Sequence, residues 1–140
     1  NRGCLESFVS TRSILRQAKG LVRKGNRRLS RAIAENGGRL TPEVVSRTAA
    51  AGDRAAQEIW NALGFWLGVG VGNIVNALNP ERVIIGGGVG KAWARFAPAL
   101  RSRFRKVAMQ VPARAATITR AKLGDAAGII GAFVLIHQKQ

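Results

Sequence analysis

Three consecutive glycines, Gly86-Gly87-Gly88, follow the apolar run Val83-Ile84-Ile85 and precede a segment of helical pattern. A strand that runs into glycines and then into a helix offers an anion the helix N-terminus, and the missing side chains let a phosphate approach the backbone. Ligands of open α/β sheets settle at the carboxyl ends of strands. The spacing fits neither common phosphate loop. From Gly86 to Gly90-Lys91 it is one residue short of the Walker pattern, and Ala92 stands where that pattern needs Ser or Thr. Lys91 fills the last glycine position of a GxGxxG match. Three glycines after a strand also describe a plain tight turn, and both readings stay open at this point.

Charge is the second chemical signal. Residues 12–31 hold eight basic side chains (Arg12, Arg16, Lys19, Arg23, Lys24, Arg27, Arg28, Arg31) and no acid. A second run, 101–122, holds Arg101, Arg103, Arg105, Lys106, Arg114, Arg120 and Lys122. Such runs suit polyanions, either nucleic acid or anionic lipid, and they also suit a solvated face. No aromatic residue is interleaved in the first run, which argues against a base-stacking platform. The single cysteine, Cys4, excludes a disulfide framework within the chain and a zinc site built from its cysteines alone; the single histidine, His137, excludes a two-histidine metal motif.

These groups need elements to hold them. Leu5, Phe8, Val9, Ile14, Ala18, Leu21 and Val22 recur at three- and four-residue steps, which predicts a helix over 5–19. Asn36-Gly37-Gly38 reads as a turn. Thr41-Pro42-Glu43 opens a helix, with Thr41 as cap, proline in the first turn and an acid near the positive end. Gly52-Asp53 interrupts it, and Asp53 caps a longer helix that Asn79-Pro80 ends. From Ile59 to Pro80 there is no charged residue, enough length to span a bilayer. Gly64, Gly68 and Gly72 form a small-residue ridge within it. Asn61, Asn73, Asn76 and Asn79, and the charged lead-in, point instead to a buried core helix against which another backbone or a ligand comes close. Arg82 to Ile85 is expected to be a short buried strand, 91–106 a helix, 115–120 a second strand, and Gly124-Asp125 the start of a last helix. Trp60, Trp66 and Trp93 are expected in the core, and His137 as a terminal helix residue. Helices alternating with strands give an α/β class.

The 140 residues fit one domain, and the formal charge of +16 comes from 23 basic against 7 acidic side chains. With 46% hydrophobic residues the chain is not a disordered tail. The opening Asn1-Arg2-Gly3-Cys4-Leu5-Glu6, without a helix cap or leading loop, is that expected of the middle of a longer protein. No signal peptide is visible.

Four segments, in order, resemble one family. They are Gly3-Cys4-Leu5-Glu6 with Ser10; Leu40-Thr41 with Ala51-Gly52-Asp53 and Ala55-Ala56; residues 73–81 leading through Val83-Ile84-Ile85 to Gly86-Gly87-Gly88-Val89; and residues 123–132. Together they resemble the C-terminal half of a ROK-family protein (repressor, open reading frame, kinase), most like its bacterial glucokinases. The resemblance implies a helix-rich α/β chain, the C-terminal portion of the actin-like ATPase (ribonuclease H-like) fold, with 1–140 as one partial domain. It implies a sugar kinase that uses ATP and Mg2+ to phosphorylate a hexose hydroxyl, or alternatively the sugar-sensing part of a repressor. It matches Asn1 to Glu6 to the last six positions of a zinc motif, Cys-x-Cys-Gly-x-x-Gly-Cys-x-Glu. Cys4 then corresponds to a zinc ligand, Glu6 to the carboxylate that binds sugar hydroxyls, and Gly86, Gly87, Gly88 and Val89 to the adenosine-side loop. The other zinc ligands, the phosphate loop and the catalytic aspartate are placed before Asn1, so no catalytic residue is expected here. The expected partners are a hexose, ATP and, when complete, further copies in a homodimer or homotetramer. A cytoplasmic location and weak polyanion binding complete the expectations, with no membrane.

Overall fold

The computed structural model describes residues 3–137. Asn1 and Arg2, the first positions of the zinc-motif match, lie outside the described residues, as do 138–140 and the side chain of Asp125. The order is α1 (Glu6–Val9), α2 (Thr11–Arg23), α3 (Arg27–Glu35), α4 (Pro42–Ala50), α5 (Arg54–Leu78), β1 (Arg82–Ile85), α6 (Trp93–Val107), α7 (Gln110–Ala115), β2 (Thr117–Arg120) and α8 (Ala127–His137). Short 3₁₀ turns, Gly88–Ala92 and Gly124–Ala126, lead into α6 and α8.

Side-chain caps set the helix starts. Thr41 accepts from Val44 N–H at 3.3 Å, with Pro42 in the first turn. Asp53 accepts from Ala56 N–H at 2.8 Å and opens α5, which ends at Asn79 in the left-handed region (φ 45°), just before Pro80. The helix expected over 5–19 is two helices. Ser10 is extended and accepts from Ser13 N–H at 3.3 Å, so the chain restarts there although the apolar spacing runs through. Helix α3 was not among the expected elements. Asn26 caps it by accepting from Leu29 N–H at 2.8 Å, and the same side chain donates to Asp53 at 3.1 Å, tying the starts of α3 and α5 together.

The core gathers around α5. Ile14, Leu29, Val45, Trp60, Leu63, Phe96 and Leu100 are fully buried, each contributing ~1.5–3 kcal/mol of transfer free energy. By length and composition α5 could cross a membrane. Here its glycine ridge lies directly on α6. A Cβ at Gly68 would stand 2.7 Å from Leu100 O, and one at Gly72 2.7 Å from Val107 Cγ1; one at Gly64 would collide with Phe96 O. On its flank, Trp66 tilts against Phe8 with ring centres 4.5 Å apart, and Arg103 sits 4.4 Å from the centre of the Phe65 ring. Trp66 is 38% exposed, so of the three tryptophans only Trp60 is sealed inside.

Strands β1 and β2 pair in parallel, from Arg82 against Thr117 to Ile85 against Arg120. The expected burial of β1 fails on one face: Ile84 is 61% exposed, because nothing among the described residues covers that side. β2 begins at Thr117 because α7 occupies the residues before it.

Candidate functional site

The parallel register brings both strands to an end at the same level, and Ala121 N–H donates to Ile85 O at 2.9 Å to lock the two exits together. Beyond them lies a cavity of about 100 Å³ lined by Gly86, Gly87, Gly90, Lys91, Arg120 and Gly124, among others. Gly87 has φ 77° and ψ −175°, a region open in practice to glycine alone. Its carbonyl accepts from Gly90 N–H at 3.0 Å and closes the turn into α6. A Cβ at Gly87 or Gly88 would meet nothing within 4 Å, so both positions open onto free space.

On the other side of the loop is a second cavity, about 330 Å³, between α4, the start of α5 and the start of α6. Glu43, Arg47, Trp60, Gly88, Lys91 and Arg95 are among its walls. Among the described residues Trp60 Nε1, which is buried, has no hydrogen-bond partner. The loop is thus a partition: Gly86 and Gly87 face the strand-end cavity, Gly88 the α4 cavity, and Lys91 lines both. Such an arrangement suits a ligand with an anionic part and a partly apolar part, the first near Lys91 and Arg120 and the second against α4.

The expected site residues do not converge. Val89 turns its side chain into the main core, so it serves the loop through its backbone. Glu6 is exposed in the first turn of α1, and Cys4 is an exposed free thiol just before it. Neither lines the cavities at the loop. Among the described residues no group of three or more His, Cys, Asp or Glu could hold a metal. A zinc site needs four ligands, so Cys4 does not make one with its neighbours. The strand-end cavity offers cations and glycines rather than the oxygen ligands that Mg2+ takes. The sequence reading missed Lys91 and Arg120 as wall residues. Lys91 had drawn notice for spoiling a glycine motif, and Arg120 only as part of a basic run.

A parallel strand pair with a glycine turn at its carboxyl ends, flanked by a helical layer, belongs to an α/β protein of the actin-like ATPase fold. The ROK family model matches residues 1–139, and the chain belongs to that family. It is 33% identical over 138 residues to a glucokinase of Halalkalibacterium halodurans, covering 99% of this chain and 42% of that protein. It is 32% identical over 137 residues to a xylose repressor of Caldicellulosiruptor bescii, covering 97% of this chain and 34% of the repressor. The structure of a ROK family glucokinase from Streptomyces griseus, in complex with glucose and AMPPNP, superimposes with a TM-score of 0.81 at 26% identity, over 99% of this chain and 46% of that one. The chain therefore spans less than half the length of each of these relatives.

Proposed function

We propose that this chain is the nucleotide-side lobe of an ATP-dependent sugar kinase of the glucokinase type. The observation that carries the reading is the glycine partition at the aligned ends of β1 and β2, with Gly87 in a backbone conformation that glycine alone adopts readily. In this reading Gly86, Gly87, Gly88 and Val89 carry the nucleotide on their backbone. Lys91 and Arg120 set positive charge beside its phosphates, and the cavity toward α4 takes the base. Bound ATP, with Mg2+ brought on its phosphates, supplies the γ-phosphoryl group. Glu6 accepts hydrogen bonds from hexose hydroxyls, a task suited to a carboxylate because it accepts several at once. The need for ATP places the protein in the cytoplasm. The 32% identity to a xylose repressor favours a second reading, a sugar-sensing domain that shares the Glu6 contact without phosphoryl transfer.

Gly88 is the clean position for a test. Its φ is not positive and its Cβ direction is empty, so Gly88→Val leaves the fold unstrained while filling the α4 side of the loop. Calorimetric titration with ATP is expected to show at least a tenfold loss of affinity at unchanged melting temperature. Equal affinity for both forms would remove the nucleotide assignment. No sugar phosphorylation is expected from the 140 residues alone in a coupled ADP-release assay with glucose. Phosphoryl transfer rests on positioning and charge stabilisation at the γ-phosphate, and the described walls of the strand-end cavity hold no carboxylate to accept the hydroxyl proton, while Glu43 lies on the α4 side, which this reading gives to the base of the nucleotide.

A further inference from the structure

We propose that the outward face of α2 is a sequence-independent docking surface for duplex nucleic acid. Arg12, Arg16, Lys19 and Arg23 fall at helical steps of four, three and four, which places them in one stripe. All four are exposed, and they line a wide, shallow depression of about 800 Å³ along the helix. The opposite face of α2 is spent on the core through Ile14 and Ala18. At 1.5 Å per residue the stripe runs about 16 Å, a length along which duplex DNA presents about ten phosphate charges. A separate groove of about 330 Å³ between α3 and α4 is lined by Arg28, Arg31 and Arg47 together with Glu35.

The usual use of so many surface cations is pairing with acids, and among the described residues the four stripe cations make no such pair. Among the described residues one ion pair draws on the run 12–31, Arg31 with Glu35 at 2.9 Å. Arg16 spends one guanidinium hydrogen on Ser7 O at 3.2 Å, which orients the side chain and leaves its charge uncancelled. Glu58, which shares a groove with Lys24 between α2 and α5, faces away from the stripe residues in that it lines none of their depression. A membrane surface is the poorer fit. An interfacial helix must offer lipid a broad apolar face, and α2 has buried its own in the protein, leaving half-buried Leu15 among the cations. A single strand is the poorer fit too, since no aromatic side chain stands in the stripe. The α2 stripe shares no residue with the two cavities at the glycine loop.

The experiment uses a fluorescent random-sequence duplex of 30 base pairs and anisotropy titrations of the chain from 50 to 200 mM salt. Affinity should fall about 10²-fold or more across that range, as expected for four or more phosphate contacts. Replacing Arg12, Arg16, Lys19 and Arg23 together by Gln should weaken binding at 50 mM at least tenfold. It should also flatten the slope of log affinity against log salt by about three to four. A control removes the same charge elsewhere, with Arg101, Arg105, Lys106 and Arg114 changed to Gln, and should leave both quantities within about twofold. Replacing the stripe arginines by Lys should retain binding. Coincident circular dichroism and melting curves show that each variant is folded. Equal losses in the stripe and control variants would mean that net charge alone acts, and would overturn the proposal. So would tighter binding to single strands, or preference for vesicles of phosphatidylserine and phosphatidylcholine over the duplex.

Discussion

Helices α5 and α8 are the two most apolar helices of the chain, and they meet opposite fates. Along α5, Ile59, Trp60, Leu63, Val71 and Val75 are buried, while among the described residues of α8 none is. Ile129 is 78% and Ile136 71% exposed. Both helices carry glycines. On α5, Gly64, Gly68 and Gly72 repeat every fourth residue and let the α6 backbone come to near contact. On α8, Gly128 and Gly131 face nothing within 4 Å. Apolar content therefore says that a helix needs a partner, and the periodic absence of side chains says where a partner sits against it. α5 has that partner in α6, and α8 presents an apolar surface of the kind that marks an interface.

The sharpest way to break this contrast is at its tightest point. Gly64→Leu would drive a side chain into the backbone at Phe96 and Leu100, where relaxation means separating two helices. A loss of about 3 kcal/mol or more is expected in urea unfolding, at the top of the usual overpacking range. A variant as stable as the parent would mean that α5 and α6 pack more loosely than their backbones indicate. The start of α5 offers a smaller effect. Asp53→Ala removes the cap on Ala56 N–H and the acceptor of Asn26 at once, so about 2 kcal/mol should go. Asn26→Ala added to it should cost less than the sum of the two single changes, since the two side chains bond each other. The least effect belongs to α8. Ile129→Gln should change unfolding by less than about 0.5 kcal/mol, as for an exposed position, and should lower self-association in light scattering. A large destabilisation there would show α8 to be packed after all.

Much of the scaffold was legible because its punctuation is written in single residues. Thr41-Pro42, Asp53 and Asn79-Pro80 each carry one mechanism, and each does in the structure what its chemistry implies. Ser10 and Asn26 carry the same chemistry and were passed over. The apolar spacing runs through Ser10 without a break, and the dense charge around Asn26 hid the left-handed Gly25 before it, an ordinary helix ending. α7 was missed for a different reason: it is six residues long, contains Pro112 and has no side-chain cap. The exposure of β1 could not be read from Val83-Ile84-Ile85, because an apolar run reports what a strand needs on its faces, not whether this stretch of chain supplies it. At the site, the glycines were visible as a turn. The pairing of Lys91 with Arg120 across it depends on strand register, which no local pattern encodes.

The crossover between the strands also sets an order in time. Arg82 has to wait for Thr117, on the far side of α6 and α7, before the parallel pair can close. Helices α1 to α6 pack largely among themselves and can gather before residues 117–120 are made, whereas non-local strand pairing comes slowly. The glycine turn that partitions the two cavities is bounded by that late pair. A nascent chain therefore presents a helical body early and completes its strand-end cavity last, so anything held at that turn would act on folding as a final latch rather than as a nucleus.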